Sequence, residues 1–172
     1  MNREFDVIIY GASGFTGRLV AEYMGSTYGR SINWAMAGRN TVKLAEVRDE
    51  IGASPETPLV TADADDLDSL RVMVKSAQCI CSTVGPYQLY GSELVRLCAE
   101  EGTHYVDLSG EPGWMHDMIA AHHETARASG ARIVHSCGFD SIPFDLGVHS
   151  YIDHISGFPR LASPHGWMAQ AL

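Results

Sequence analysis

A glycine-rich segment near the amino terminus is the part of the sequence whose residue types and spacing indicate a chemistry most directly. Residues 10–17 read YGASGFTG, directly after an apolar stretch and at the start of a stretch with helical periodicity. In such a strand-to-helix turn, glycines allow a tight turn, a close approach to a pyrophosphate and close helix packing. The backbone N–H groups of about 13–16 would point at the phosphates, at the positive end of the helix dipole. The segment predicts a dinucleotide-binding turn; the alternative is a structural turn that binds nothing.

The end of the second predicted strand discriminates between cofactors. An NAD-specific site needs an Asp or Glu about 20 residues beyond the glycine motif, but residues 35–41 read AMAGRNT. Arg39 stands just past the strand instead, and its permanently charged guanidinium could hold a 2′-phosphate and stack on adenine. This arginine favours NADP(H) over NAD(H), and Asn40 next to it is a further candidate for cofactor binding. The alternative is that Arg39 is a solvated loop residue.

Further candidates follow the other strands, because the carboxyl ends of parallel strands line one crevice. Asp63 could accept a hydrogen bond from the adenine amino group, although a cap or a solvated turn explains the cluster of acids at 63–68 equally well. The turn at 83–87 suits backbone contact with the nicotinamide half. The complete set of predicted cofactor-binding residues is Gly11, Ala12, Ser13, Gly14, Phe15, Thr16, Gly17, Arg39, Asn40, Asp63, Thr83, Val84, Gly85 and Tyr87.

No catalytic residue can be assigned. The Tyr-x-x-x-Lys pair of short-chain dehydrogenases is absent, because arginines stand four positions before the two lysines, Lys43 and Lys75. The G-x-S-x-G elbow of hydrolases is also missing. Tyr87, Ser109 and Glu111 could supply a proton, but positioning or packing explains each of them as well.

Metal binding is not expected. His116, His122 and His123 lie on one predicted helix, and neither a Cys nor an acid completes a site at helical spacing. The four cysteines form no C-x-x-C pair, and the alternating Cys79 and Cys81 suit a buried apolar pair.

The elements that must position these residues alternate between strand and helix. Apolar runs at 5–10, 33–37, 59–62, 79–84, 105–108 and 132–135 are each followed by a segment of helical period. This alternation predicts an α/β, Rossmann-like, doubly wound parallel sheet of six strands with flanking helices. In the first helix, the apolar stripe facing the sheet is predicted to be Phe15, Leu19, Val20, Tyr23 and Met24.

Composition and net charge limit the classes of partner and the location that the chain can have. The chain has 172 residues, 45% of them hydrophobic, and a formal net charge of −9, which argues against nucleic-acid or anionic-lipid partners. No 18-residue apolar run predicts a membrane span, and no signal peptide precedes the first strand. We therefore expect a cytoplasmic protein.

Five segments in order resemble the saccharopine dehydrogenase-like oxidoreductases, a family that includes the mycobacterial trans-acting enoyl reductases. They are 6–17 (DVIIYGASGFTG), 37–40 (AGRN), 82–91 (STVGPYQLYG), 103–111 (THYVDLSGE) and 136–147 (SCGFDSIPFDLG). The resemblance implies a cofactor role for the glycine turn, Arg39, Thr83, Gly85 and Tyr87.

The resemblance covers about 5–148, so we expect an NADP-binding domain at 1–148 and an irregular tail at 149–172, without the family's substrate domain. It implies hydride transfer to an enoyl or imine substrate, such as an acyl thioester of lipid metabolism. A nucleotide-binding module without catalysis of its own is the alternative, as is a fold remnant that binds nothing. Uncovered apolar surface would favour a homo-oligomer.

Overall fold

The computed structural model describes residues 3–29 and 31–154, and it arranges them as an alternating α/β fold. The strands and helices in chain order are β1 (Phe5–Tyr10), α1 (Phe15–Thr27), β2 (Trp34–Gly38), α2 (Thr41–Glu50), β3 (Leu59–Thr61), α3 (Leu67–Ser76), β4 (Ala77–Ser82), α4 (Tyr87–Tyr90), α5 (Ser92–Glu101), β5 (His104–Asp107), α6 (Pro112–Ser129), β6 (Ile133–Val134) and α7 (Ile142–His154).

The strands form one six-stranded sheet in the order β3-β2-β1-β4-β5-β6, and every neighbouring pair is parallel. This confirms the predicted Rossmann-like architecture, since the order reverses between β1 and β4. The predicted strands agree with the observed ones to within two residues at each end. The crevice at the carboxyl ends of β1 and β4 is therefore the place where such a sheet accepts a ligand.

Local sequence signals set the helix ends. The Asn40 side chain accepts a hydrogen bond from the Lys43 amide at the start of α2, and Asp66 caps α3 in the same way. Gly102 and Gly130 end α5 and α6 in the left-handed conformation, with φ of +68° and +82°.

Two apolar clusters fill the two sides of the sheet. One lies between the sheet and α3, α5 and α6, and it includes Ile8, Ile80 and Tyr105, all fully buried. The other lies under α1 and α2 around Ile9 and Met36. The second cluster contains no residue of β4, β5 or β6 in the part of the chain that the structure describes. Buried clusters therefore lie on both faces of the sheet over β1–β3, and among the described residues on one face over β4–β6.

The predicted apolar stripe of α1 is wrong in three of its five members. Phe15, Leu19 and Tyr23 are 85%, 51% and 58% exposed. The helix instead turns small residues, Gly17 and Ala21, towards the sheet. Small side chains let α1 approach β1 more closely than the large ones would, and this close approach decides which face is buried.

Two further differences concern the cysteines and the end of the domain. Cys79 and Cys81 are half-buried rather than fully buried, and all four cysteines are free. Helix α7 extends to His154, six residues beyond the predicted boundary of the domain at 148. The rest of the predicted tail, 155–172, lies outside the described residues.

Candidate cofactor-binding site

The glycine turn is held against the end of β2. The N–H groups of Gly11 and Ala12 both donate to the carbonyl oxygen of Ala37, over 2.9 and 3.1 Å. Gly11 has φ of +89°, a conformation that favours glycine. A Cβ on Gly11 would also lie 2.7 Å from Oγ1 of Thr83 and 2.8 Å from the Val84 side chain. The tight turn predicted for Gly11 is therefore present.

The amino terminus of α1 is open. Gly14 occupies the N-cap position and brings no side chain that could cap the helix. The Arg18 amide makes the first bond of the helical pattern, to the Gly14 carbonyl over 2.9 Å. The amides of residues 15–17 precede it, and the helix provides no carbonyl oxygen one turn earlier to accept their hydrogen bonds. This arrangement fits a pyrophosphate, which would accept hydrogen bonds at the positive end of the helix dipole.

The residue that is predicted to bind the 2′-phosphate follows the end of β2. Arg39 is exposed immediately after the strand. Burial raises the pKa of Tyr10 to about 12, with the Asp63 carboxylate adding to the increase and the Arg39 guanidinium opposing it. Arg39 and Asp63 therefore both lie within electrostatic reach of the last residue of β1. Both follow strands on the β2–β3 side of the crevice, where the sequence predicts the adenosine half of a dinucleotide.

Two other candidates on this side already have local hydrogen bonds. The Asn40 side chain caps α2, as described above. Oδ1 of Asp63 accepts from the Asp65 amide over 3.2 Å, and the Asp63 amide bonds Oγ of Ser69 over 3.0 Å. These contacts support the solvated-turn alternative for Asp63, and the predicted contact with adenine stays a prediction.

On the other side of the crevice, Thr83 joins β4 to β1. Its amide and its hydroxyl both donate to the Tyr10 carbonyl oxygen, over 2.9 and 3.0 Å. Val84 follows it and packs against Gly11. These two residues thus form the wall of the crevice directly beneath the glycine turn.

Tyr87 has a structural position in the turn after β4. Its side chain is only 6% exposed, and its hydroxyl donates to the Ser82 carbonyl oxygen over 3.0 Å. Burial raises its pKa to about 12, with a hydrogen bond from the Leu108 amide opposing the increase. A buried, bonded and weakly acidic hydroxyl is poorly placed to give a proton to a substrate. Its carbonyl oxygen also accepts from the Gly91 amide over 2.7 Å, and the predicted cofactor contact of Tyr87 stays a prediction.

Glu111 holds this turn from the neighbouring strand end. Its two carboxylate oxygens accept from the amides of Tyr87 and Gln88, over 2.7 and 2.9 Å. These amides open the short helix α4, so the carboxylate supplies the acceptors that the helix itself lacks. This contact favours positioning over proton supply for Glu111.

The ends of β5 and β6 are joined by a buried pair that the sequence did not reveal. Oδ2 of Asp107 lies 2.7 Å from Nδ1 of His135, and the Asp107 side chain is fully buried. Its Oδ1 accepts from the amides of Ser109 and Ser136, over 3.0 and 2.9 Å. Burial opposes ionisation of Asp107, but the hydrogen bonds from His135 and these amides outweigh it and lower its pKa.

The His135 ring is enclosed by aromatic residues. The rings of Trp114 and Tyr105 stand edge-on to it, with centroids 5.1 and 5.9 Å away. Nε2 of His135 is buried and has no hydrogen-bond partner among the described residues. The pair fixes the segment after β6, in which Ser136 adopts a left-handed conformation with φ of +59°. A sequence signal existed, since polar residues that end neighbouring parallel strands meet at one edge.

A match to a protein family fits this geometry. Residues 7–134 match the model of the saccharopine dehydrogenase NADP-binding domain. The chain belongs to this family. Its cofactor is NADP(H), and the matched residues include the glycine turn, Arg39 and the Asp107 segment.

The curated relatives of this NADP-binding domain are longer proteins. A trans-acting enoyl reductase of Mycobacterium leprae and one of Mycobacterium tuberculosis are each 45% identical over 148 residues, covering 86% of this chain and 35% of theirs. A second Mycobacterium tuberculosis protein, to which the same activity is ascribed, is 48% identical over 149 residues with the same coverage. The chain therefore spans about a third of the length of these relatives.

Solved structures support the fold of the NADP-binding domain. Saccharopine dehydrogenase (L-Glu forming) from Saccharomyces cerevisiae has a TM-score of 0.66 at 17% identity, over 88% of this chain and 31% of that one. Triphenylmethane reductase from Citrobacter sp., complexed with NADP(H), has a TM-score of 0.55 at 15% identity, over 76% of this chain and 48% of that one.

No helix among the described residues of the domain is long and apolar enough to cross a membrane. Across residues 3–29 and 31–154, no three His, Cys, Asp or Glu side chains are grouped so that they could hold a metal ion.

Proposed function

We propose that this domain binds NADP(H) for an oxidoreductase that transfers a hydride to an enoyl substrate, with an imine as the other acceptor class. The observation that carries the proposal is the open amino terminus of α1 beside an exposed arginine after β2. Those two features provide a pyrophosphate site and a 2′-phosphate site on one edge of the sheet. The cofactor, when bound, supplies the hydride.

Each part of the edge has its own role in this proposal. The amides at 15–17 bind the pyrophosphate, with Gly11, Ala12, Ser13 and Gly14 forming the turn before them. Arg39 binds the 2′-phosphate. The segment 83–87, held by Glu111, contacts the nicotinamide half through its backbone and orients the ring towards the substrate.

The enoyl acceptor is favoured by the relatives, which are named trans-acting enoyl reductases and match 86% of the chain. An acyl thioester of lipid metabolism is the corresponding substrate class. The imine acceptor comes from the saccharopine dehydrogenase family itself. A cytoplasmic location agrees with four free cysteines in the described residues.

A nucleotide-binding module without its own turnover is the second candidate. It is favoured by the described residues that could donate a proton near the crevice, because Tyr87 and Glu111 both have structural hydrogen bonds. In this case a partner would provide the substrate site.

Thermal melting with NADPH and NADH tests cofactor binding. A ligand at 100 times its Kd adds about 2.7 kcal/mol, which raises the Tm of a domain of this size by several degrees. We expect NADPH to raise the Tm more than NADH at equal concentration. The absence of a shift with either nucleotide would refute both candidates.

A turnover assay then separates the two candidates. NADPH oxidation is followed with an enoyl thioester and with a cyclic imine, using the chain alone and a full-length relative in parallel. Turnover by the chain alone supports the oxidoreductase. A melting shift without turnover, while the relative is active, supports the nucleotide-binding module.

A further inference from the structure

The segments that follow β4, β5 and β6 are joined by hydrogen bonds around one buried serine. Ser109 is only 2% exposed, and its amide, hydroxyl and carbonyl groups are all bonded. The amide donates to Oδ1 of Asp107 over 3.0 Å, and the carbonyl oxygen accepts from the Ser136 hydroxyl over 2.7 Å. The Ser109 hydroxyl accepts from the Glu111 amide over 3.2 Å. Ser109 therefore connects the buried pair of Asp107 and His135 to the residue that holds the turn after β4.

Two further hydrogen bonds fix the segment after β6 to the end of β5. The Cys137 amide donates to the Asp107 carbonyl oxygen over 2.7 Å, and the Ser136 amide donates to Oδ1 of Asp107 over 2.9 Å. The paired residues of these two strands end at Val106 and Val134. Asp107 therefore holds the segment after β6 beyond the last paired residues of the two strands.

One indole ring contacts two of these segments. The ring centroids of Tyr87 and Trp114 are 5.5 Å apart, and those of Trp114 and His135 are 5.1 Å apart. Nε1 of Trp114 donates to Oγ of Ser92 over 3.0 Å, which fixes the indole against the start of α5. The turn after β4 and the end of β6 therefore pack on the same ring as well as sharing one group of hydrogen bonds.

The direction of the bond between His135 and Asp107 follows from the other contacts of the carboxylate. Those contacts lower the pKa of Asp107, and an ionised carboxylate only accepts hydrogen bonds. We therefore assign the proton of this bond to Nδ1 of His135, which donates to Oδ2 of Asp107 over 2.7 Å. Nε2 has no partner among the described residues. Nδ1 is therefore the atom through which His135 joins the hydrogen-bonded group.

We propose that His135 is a positioning residue for the nicotinamide half of the cofactor, acting through Asp107 and Ser109 on Glu111 and so on the turn at 83–87. This role rests on the function proposed above, in which that turn contacts the nicotinamide half. A fully bonded, buried polar network is rigid. Rigidity matters at this position, because a displacement of about 1 Å between reacting groups can slow a reaction by about a hundredfold.

Packing of the His135 ring against its aromatic neighbours is the other role that the residue could have. A packing role needs the size and shape of the ring, whereas the positioning role needs a donor at Nδ1. Two substitutions separate these requirements, since the amide nitrogen of Asn comes close to the position of Nδ1 and that of Gln to the position of Nε2. His135→Asn can therefore still donate to Asp107, and His135→Gln leaves Oδ2 without its donor.

Isothermal titration of the full chain with NADPH and with adenosine 2′,5′-bisphosphate, which lacks nicotinamide, tests the positioning role. We expect His135→Gln to raise the Kd for NADPH by about five- to tenfold and to leave the Kd for the bisphosphate within about twofold of wild type. His135→Asn should keep both Kd values within about twofold of wild type. The matched control is His104→Gln, because Nδ1 of His104 accepts from the Arg132 amide over 3.1 Å and links β5 to β6 at their other end. This control should leave the ratio of the two Kd values unchanged.

A double variant tests the connection between His135 and Glu111. Because both substitutions act on the same turn, His135→Gln combined with Glu111→Gln should raise the Kd for NADPH by less than the product of the two single increases. An increase equal to that product would show that the two residues act independently, and would overturn the proposal.

The remaining outcomes separate this proposal from the proposed function. Equal increases for His135→Gln and His135→Asn would assign the effect to ring packing and overturn the positioning role, as would an unchanged Kd for NADPH in His135→Gln. Wild-type protein that binds neither ligand would refute NADP(H) binding itself, and the positioning role with it. Circular dichroism shows whether each variant is folded. If His135→Gln does not fold, Ser136→Ala, which removes only the hydroxyl bond to Ser109, should raise the Kd for NADPH and not that for the bisphosphate; equal values for both ligands would overturn the proposal.

Discussion

Gly17 lies directly against Gly11: a Cβ on Gly17 would stand 2.1 Å from the Gly11 carbonyl oxygen. Both partners in this contact are backbone, so neither can move aside as a flexible side chain would. The contact joins the glycine turn to the first turn of α1. It therefore fixes the position of the helix end that we assign to the pyrophosphate.

We predict that Gly17→Ala disrupts this contact. Overpacking of this kind costs about 1–3 kcal/mol, and it displaces the amides at 15–17, so NADPH binding should weaken as well. Urea unfolding and NADPH titration measure the two effects. Gly113→Ala is the control, because its Cβ would meet no atom within 4 Å. A Gly17→Ala protein with unchanged stability and unchanged NADPH affinity would show that the turn tolerates a larger separation.

The same contact explains one limit of sequence-based prediction here. The glycine turn, the strands and the doubly wound parallel sheet follow from local patterns, and the structure confirms them. The buried face of α1 does not follow from such a pattern, because hydrophobic periodicity predicts burial of Phe15, Leu19 and Tyr23 rather than of Gly17 and Ala21. Periodicity counts large apolar side chains, but in this helix close backbone contact determines which side faces the sheet.

The pair of Asp107 and His135 illustrates a second limit. The two residues are 28 positions apart, and only the parallel pairing of β5 with β6 brings them together. Sequence alone placed polar residues at the end of β5, without indicating which of them would be buried or paired.

The next prediction concerns cofactor preference. Arg39→Ala should raise the Kd for NADPH by roughly ten- to a hundredfold, since a charge-assisted contact with the 2′-phosphate is lost, and leave NADH nearly unchanged. Fluorescence titration with both nucleotides measures the ratio. Arg127→Ala removes the same charge from α6, at a distance from the adenosine side, and should leave that ratio at its wild-type value. An equal loss for NADPH and NADH in Arg39→Ala would contradict the assignment.

Asp107 should make stability depend on pH in the acid range. Its pKa is lowered in the folded protein, and the ordinary unfolded value is about 3.9. The carboxylate therefore stabilises the fold fully above that value, and this stabilisation is lost as pH falls through the lower, folded pKa. Replacing one partner of a buried pair costs about 3 kcal/mol, so Asp107→Asn should be less stable by about that amount at neutral pH.

The pH series provides the specific signature of this pair. Urea unfolding of wild type and Asp107→Asn should show a constant difference from neutral pH to about pH 5 and a shrinking one below about pH 4. Asp117→Asn is the control, since that side chain is 76% exposed and should show little effect at either pH. A difference that does not change with pH would mean that packing, rather than the ionised carboxylate, accounts for the loss.

Replacing Glu111 should weaken binding of the nicotinamide half of the cofactor and leave binding of the adenosine half unchanged. Glu111→Gln keeps one acceptor oxygen but removes the charge that bonds the amides of Tyr87 and Gln88, which costs about 1–2 kcal/mol. In our proposal the turn that it holds contacts the nicotinamide half, so the Kd for NADPH should rise by about three- to tenfold. The Kd for adenosine 2′,5′-bisphosphate, which lacks nicotinamide, should stay the same. Isothermal titration measures the Kd of both ligands, and Glu93→Gln on α5 is the matched control. An equal rise in Kd for the two ligands would mean that the loss of Glu111 destabilises the whole crevice.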